Sequence, residues 1–142
     1  MRVVDLNVLL YAVNADATQH HRVLAWWERA INGDEPLGLP WIVLLGFLRL
    51  STSAQVFPRP LRPEAAIASV DSWLGRTNTR VIRETDAHWS ILRSLLRDAG
   101  TFANLTTDAH LAALAISHGA VLVSCDSDFA RFPGLRWENP LG

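Results

Sequence analysis

Two short runs in this chain, residues 2–5 and 120–124, are apolar toward both sides, and each ends on or just before aspartate. A strand that turns apolar side chains to both faces needs a layer of helices above and below it. That confines it to the interior of a parallel sheet. Residues 79–83 form a third candidate strand, with Val81 alternating with Arg80 and polar neighbours; residues 37–39 and 135–137 are weaker, edge-like candidates. Helical patterns fill the intervals. From Thr18 as a cap, Val23, Leu24, Trp27, Ala30 and Ile31 share one stripe that Gly33 ends. Residues 41–50 are apolar nearly all round, which predicts a deeply buried helix. Pro63 suits a first helical position, followed by Ile67, Val70, Trp73 and Leu74. Trp89, Leu92, Leu96 and Ala99 form a stripe closed by Gly100; Leu111, Leu114 and Ala115 form another, capped at Thr106 or Thr107 and closed by Gly119. The proline-rich segment 57–63 reads as a stiff loop inside one domain, because helical patterns flank it closely. Strands alternating with helices predict a single α/β domain over residues 1–142, built on a mostly parallel sheet of about five strands.

Composition agrees and removes several classes. Of the 142 residues, 49% are hydrophobic and 19% charged, so the chain can bury a core and is not of the disordered type. Thirteen basic against fourteen acidic residues leave a formal charge of −1, which excludes a generally basic nucleic-acid surface, though not a local patch. Cys125 is the only cysteine, so no internal disulfide and no cysteine-based zinc site is expected. Asp5 comes too early for a signal peptide, and the longest apolar stretch is too short to span a bilayer. A soluble, cytoplasmic protein without membrane contact is expected.

In parallel sheets, sites form beyond the carboxyl ends of the strands. Asp5 ends the first run, and Asp126 and Asp128 follow the run 120–124. Asp108 falls in the first turn of a helix over 107–118, where the macrodipole favours an ionised carboxylate. Converging carboxylates repel one another unless protons or a cation intervene, and oxygen-only donors suit Mg²⁺ or Mn²⁺. Each residue also has an ordinary structural role open to it. An aspartate after a strand usually forms a turn, and one in a first helical turn usually caps. Taken singly, Asp108 and Asp128 fit that role. Asp5 fits it less well, because it interrupts an apolar run where an unpaired buried charge is costly.

At these positions the sequence resembles a known family. Asp5-Leu6-Asn7 is similar to the D-x-N opening of PIN domains, and the stretch 107–115 to their central acidic helix. Ser124-Cys125-Asp126-Ser127-Asp128-Phe129, with residues 132–137 and Asn139-Pro140, resembles the close of bacterial VapC-type toxins. The resemblance implies a three-layer α/β/α sandwich and a Mg²⁺-dependent endoribonuclease, with Mn²⁺ able to substitute. It also implies a homodimer, neutralised by a cognate VapB-type antitoxin. Carried over residue by residue, Asp5, Asp108 and Asp126 would be catalytic and bind the metal. Asp128 would assist them or cap the short helix after it. Asn7 and Ser124 would orient the ligands from behind. Gly46 stands where the family usually places a glutamate, in the stretch 44–49. That loss favours a single ion over a symmetric pair, and leaves open a weak or silent module that binds antitoxin or RNA.

The remaining conspicuous residues weigh less. The five histidines form no spaced metal motif, and His110 reads as a partly buried helix residue. Trp27, Trp73 and Trp89 sit on apolar stripes and read as core; Trp26 and Trp41 suit either core or interface. Arg49 follows the apolar helix and is the arginine expected to approach the acidic mouth and take a substrate phosphate. Phosphatases of the haloacid-dehalogenase type and receiver domains also place an aspartate at a strand end. Both generally use a lysine beside it, and this chain has no lysine.

Overall fold

A computed structural model describes residues 1–100 and 103–142. Five parallel strands form one sheet: β1 (Arg2–Val4), β2 (Leu37–Pro40), β3 (Thr79–Ile82), β4 (Val121–Val123) and β5 (Arg136–Glu138), in the order β3-β2-β1-β4-β5. Among the described residues, six α-helices connect them: α1 (Leu6–Val13), α2 (His20–Ile31), α3 (Trp41–Ser51), α4 (Pro63–Leu74), α5 (His88–Ala99) and α6 (Leu105–Ser117). The chain runs outward from β1 through β2 to β3, then crosses back to β4 and β5. Right-handed crossovers in opposite directions put their helices on opposite faces. Accordingly α1 packs on α2 and α3, α3 packs on α4, and α5 pairs with α6. The result is the three-layer α/β/α arrangement.

The central strands are buried as their composition requires: Val3, Val4, Leu39, Leu122 and Val123 are all inaccessible. Residues 37–39 differ from expectation. They belong to an interior strand, paired on one side with β1 and on the other with β3, and all four residues of β2 are buried. A proline is tolerated there because Pro40 is the last residue of β2 and the cap of α3, where its missing N–H costs little.

Helix α1 is absent from the periodicity. Apart from Asn7, its residues Leu6 to Val13 continue the apolar character of β1, so no 3.6-residue stripe stands out; only the cap at Asp5 marks its start. Two expected caps are displaced. Helix α2 begins at His20, and the Thr18 hydroxyl donates to Gln19 Oε1 instead (3.0 Å). Helix α6 begins at Leu105, which puts Thr106 and Thr107 inside its first turn. Gly100 and Gly119 close α5 and α6 in left-handed conformations (φ 75° and 62°), the one geometry at these ends that favours glycine.

Helix α3 is not deeply buried all round. Val43, Leu44 and Phe47 enter the core, whereas Trp41, Ile42 and Leu45 are exposed, Leu45 by 60%. An apolar pattern cannot distinguish a face covered by the chain's own core from one left for something else. Trp89 likewise lies outside the core, 62% exposed, and Ile67 on α4 is also exposed. Trp27 and Trp73 are buried in an edge-to-face pair, with Phe47 against Trp73 at 4.7 Å between ring centroids. Among the described residues, no helix is long and apolar enough to cross a membrane.

Candidate metal centre

The strand order reverses between β1 and β4, and the crevice outside their carboxyl ends is where an open α/β sheet accepts a ligand. The Asp5 N–H donates to Val123 O (2.9 Å), which locks the two strand ends together. Asp5 then turns the chain into α1: its Oδ1 accepts from the Leu6 N–H (2.7 Å), and its Oδ2 accepts from the Ser124 hydroxyl (2.7 Å) and Asn7 Nδ2 (3.2 Å). Asn7 also donates to Ser124 Oγ (3.1 Å) and accepts from the Cys125 N–H (3.1 Å). Ser124 Oγ accepts from the Asp126 N–H (3.0 Å), and its carbonyl accepts from Trp137 Nε1 (2.9 Å). Asp5, Asn7 and Ser124 are therefore one hydrogen-bonded unit joining β1 to β4.

In front of this unit, Asp108, Asp126 and Asp128 each offer an oxygen, and the three oxygens lie within 4.8 Å of one another. Asp5 is outside this trio, deeper and only 7% exposed. Asp126, rather than Asp128, caps the short 3-10 helix Ser127–Arg131, accepting from the Asp128 N–H at 2.9 Å. The electrostatics follow from the crowding. Burial, and then the charges of Asp5, Asp126 and Asp128, push the Asp108 carboxyl up to about 6. Burial also raises Asp5, against the hydrogen bonds from Ser124 and Leu6 that hold it down. Cys125 is pushed up to about 11 by burial and by Asp5, so its thiol stays protonated at neutral pH and is no nucleophile.

A cleft of about 390 Å³ opens on these carboxylates and is lined by Asp5, Asn7, Asp108 and Asp126 on one side, with Gly46 and Arg49 of α3 on the other. Asp5, Asn7, Gly46, Arg49, Asp108 and Asp126 thus line one cleft, and Ser124 and Asp128 each touch a residue that does. A second cavity of about 340 Å³ lies between the end of α2 and the first residues of β1 and β2, and there Glu35 and Glu138 are both paired with Arg2.

Some features escape sequence reasoning. The acidic cluster is not free of basic residues: Arg131 approaches Asp128 (3.7 Å) and opposes the upward shift at Asp108. Its three-residue spacing from Asp128 is the signal that could have found it. His110 has partners the helical pattern does not reveal, since its Nδ1 meets His88 Nε2 at 2.9 Å and its Nε2 lies 3.5 Å from Glu84. Burial and the neighbouring His88 lower its pKa. Leu6, Leu10 and Leu111, apolar residues without a chemical signature, also line the cleft.

A sheet of this order, carrying an aspartate at the end of β1 and more acids after β4, defines a class. The sequence profile of the PIN domain matches residues 2–135, and the chain belongs to the PIN-domain family. Within it, the chain is 49% identical over 140 residues to Ribonuclease VapC37 of Mycobacterium tuberculosis, an alignment covering 99% of this chain and 97% of that protein. It is 44% identical over 141 residues to Ribonuclease VapC33 of the same organism, covering 99% of each. The crystal structure of VapBC2 from Rickettsia felis, bound to a DNA fragment from its promoter, shares the fold, with a TM-score of 0.68, 22% identity and 97% of each chain covered.

Proposed function

We propose that this chain is a metal-dependent endoribonuclease, the toxin of a VapBC-type toxin–antitoxin pair. The observation that carries the proposal is the trio Asp108, Asp126 and Asp128 within 4.8 Å, set at the switch point of the sheet with the Asp108 carboxyl pushed up to about 6. Acids crowded this closely are stabilised by a cation, and an all-oxygen donor set fits Mg²⁺, with Mn²⁺ as a substitute. Asp108, Asp126 and Asp128 would hold the ion directly, and Asp5 directly or through water. When bound, the ion supplies an activated water and charge stabilisation for a phosphodiester.

The chain's own residues do the rest. Ser124 and Asn7 fix the rotamer of Asp5, and Ser124 also fixes the backbone of Asp126. Arg49, exposed on the cleft wall, is suited to a substrate phosphate. The similarity to proteins named Ribonuclease VapC supports RNA as the substrate. The VapBC2 complex from Rickettsia felis, which shares this fold, supports a VapB-type antitoxin as partner. Exposed Ile67 and Trp89 support a homodimer, because large apolar side chains left outside a core commonly mark contact surfaces. We place the protein in the cytoplasm, where its RNA substrate is found.

A second reading, a PIN module that binds antitoxin or RNA and cleaves weakly or not at all, is favoured by one observation. A Cβ at Gly46 would stand 2.7 Å from Leu6 Cδ2, so Leu6 occupies the space that an acid on α3 would need. Incubating total cellular RNA with the purified protein, in Mg²⁺ or EDTA and beside Asp5→Asn, separates the two. Discrete Mg²⁺-dependent fragments lost in the variant support the nuclease; no fragments, or equal cleavage by both proteins, favours the silent module.

A further inference from the structure

The cleft is chemically divided. Beside the carboxylate centre, the same cleft is lined by Leu6, Ile42 and Leu111, an apolar recess with Gly46 behind Leu6, and it also takes in Arg49 of α3. Gly46 is buried in the middle of α3, where glycine costs about 1 kcal/mol relative to alanine. The contact with Leu6 gives that glycine a reason: Leu6 leans back onto bare helix backbone, and any side chain at 46 would drive it forward. Leu6 retracted in this way leaves the recess open beside the carboxylates.

We propose that this recess seats one unstacked nucleobase of a single-stranded RNA, the base adjoining the phosphodiester held at the carboxylate centre. The proposal rests on the ribonuclease reading and deepens it. A phosphate and its base are joined through one ribose, so a phosphate at the acids brings the flat, apolar face of its base within reach of the recess in the same cleft. A volume of about 390 Å³ lies within the roughly 300–1,000 Å³ of sites that hold small organic ligands. Inorganic phosphate or a bare cation gains nothing from the apolar half. A duplex cannot use it, because its bases are stacked away; unpaired loops and ends can splay a base into an apolar seat. One covalent unit, a nucleotide, matches both halves at once.

The test is methyl NMR on protein labelled at Leu, Ile and Val, in Mg²⁺, titrated with the four nucleoside 5′-monophosphates and with inorganic phosphate. The nucleotides, and not phosphate, are expected to shift the methyls of Leu6, Ile42 and Leu111. Ile42→Ala, at a 40% exposed position that does not hold the core, is expected to weaken nucleotide binding and raise KM for RNA about tenfold. Gly46→Ala, which pushes Leu6 into the recess, is expected to change which RNA sites are cut. Methyls that ignore the nucleotides in a protein that still cleaves RNA overturn the base seat, leave the nuclease reading standing and assign the recess to a protein segment. Methyl shifts in a protein that cleaves nothing uphold the seat and remove the nuclease reading instead.

Discussion

Asp108 lies where its ionisation is opposed by burial first, and then by Asp5, Asp126 and Asp128. Its carboxyl titrates near 6 in the folded chain against an ordinary 3.8, so between those values the folded state carries a proton that the unfolded state has lost. Stability therefore falls as pH rises through that window. Thermal melts in a chelator should show Tm dropping across it, and Asp108→Asn should flatten the slope; an unchanged slope in the variant would locate the titration elsewhere. Asp5 behaves differently because both its oxygens are hydrogen-bonded. Asn at position 5 keeps the cap on Leu6, loses the repulsion with Asp126 and turns an NH₂ toward Asn7. These effects oppose one another, so Asp5→Asn should stay within about 1 kcal/mol of the parent by denaturant melt. At this scale Asp5 is conspicuous in the sequence, because an aspartate closing an apolar run is costly to bury, whereas Asp108 and Asp128 read singly as cap or turn residues and are grouped with it only by the family resemblance. Arg131 is legible only through its three-residue spacing from Asp128, and His88 and Glu84 are not legible, since their contacts with His110 depend on how other elements pack.

Helix α3 shows most clearly what an element's sequence can and cannot say. Its apolar content correctly marks a helix, but the exposed Trp41, Ile42 and Leu45 look no different in sequence from the buried Val43, Leu44 and Phe47. Gly46 reads as a missing acid, and the structure adds that Leu6 fills the gap. Gly46→Glu alone should therefore push Leu6 forward into the cleft, at a cost below about 1 kcal/mol, since only the free end of one half-buried side chain moves and the helix loses a glycine. The gain in Mn²⁺ affinity that an added carboxylate implies should emerge only when Leu6→Ala clears the displaced side chain. Calorimetry on both variants checks this, and tighter binding in Gly46→Glu alone would show that the displaced Leu6 leaves the new carboxylate free. Helix α1 illustrates the opposite failure: residues apolar but for Asn7 after a strand hide the boundary, and only Asp5 as a capping residue discloses it.

Across the whole molecule, the alternation of apolar strands and helical stripes carries the fold class, and the switch point between β1 and β4 follows from topology alone. The strand order is less legible, because β2 is short and holds glycine and proline yet lies in the interior. The core and the site are separable in energy. Phe47 is fully buried against Trp73 and is not among the residues lining the cleft, so Phe47→Ala should cost about 3–5 kcal/mol in a denaturant melt while leaving Mn²⁺ affinity intact below the unfolding midpoint. The central claim is that the acids beyond β1 and β4 form one divalent-ion centre. Calorimetric titration of Mn²⁺ into the purified protein near pH 6, in buffers of different ionisation enthalpy, tests it most directly. The account predicts one ion per chain, proton release from Asp108 on binding, and loss of both in Asp108→Asn. Mn²⁺ binding with the same stoichiometry and affinity in Asp108→Asn and Asp126→Asn would contradict it.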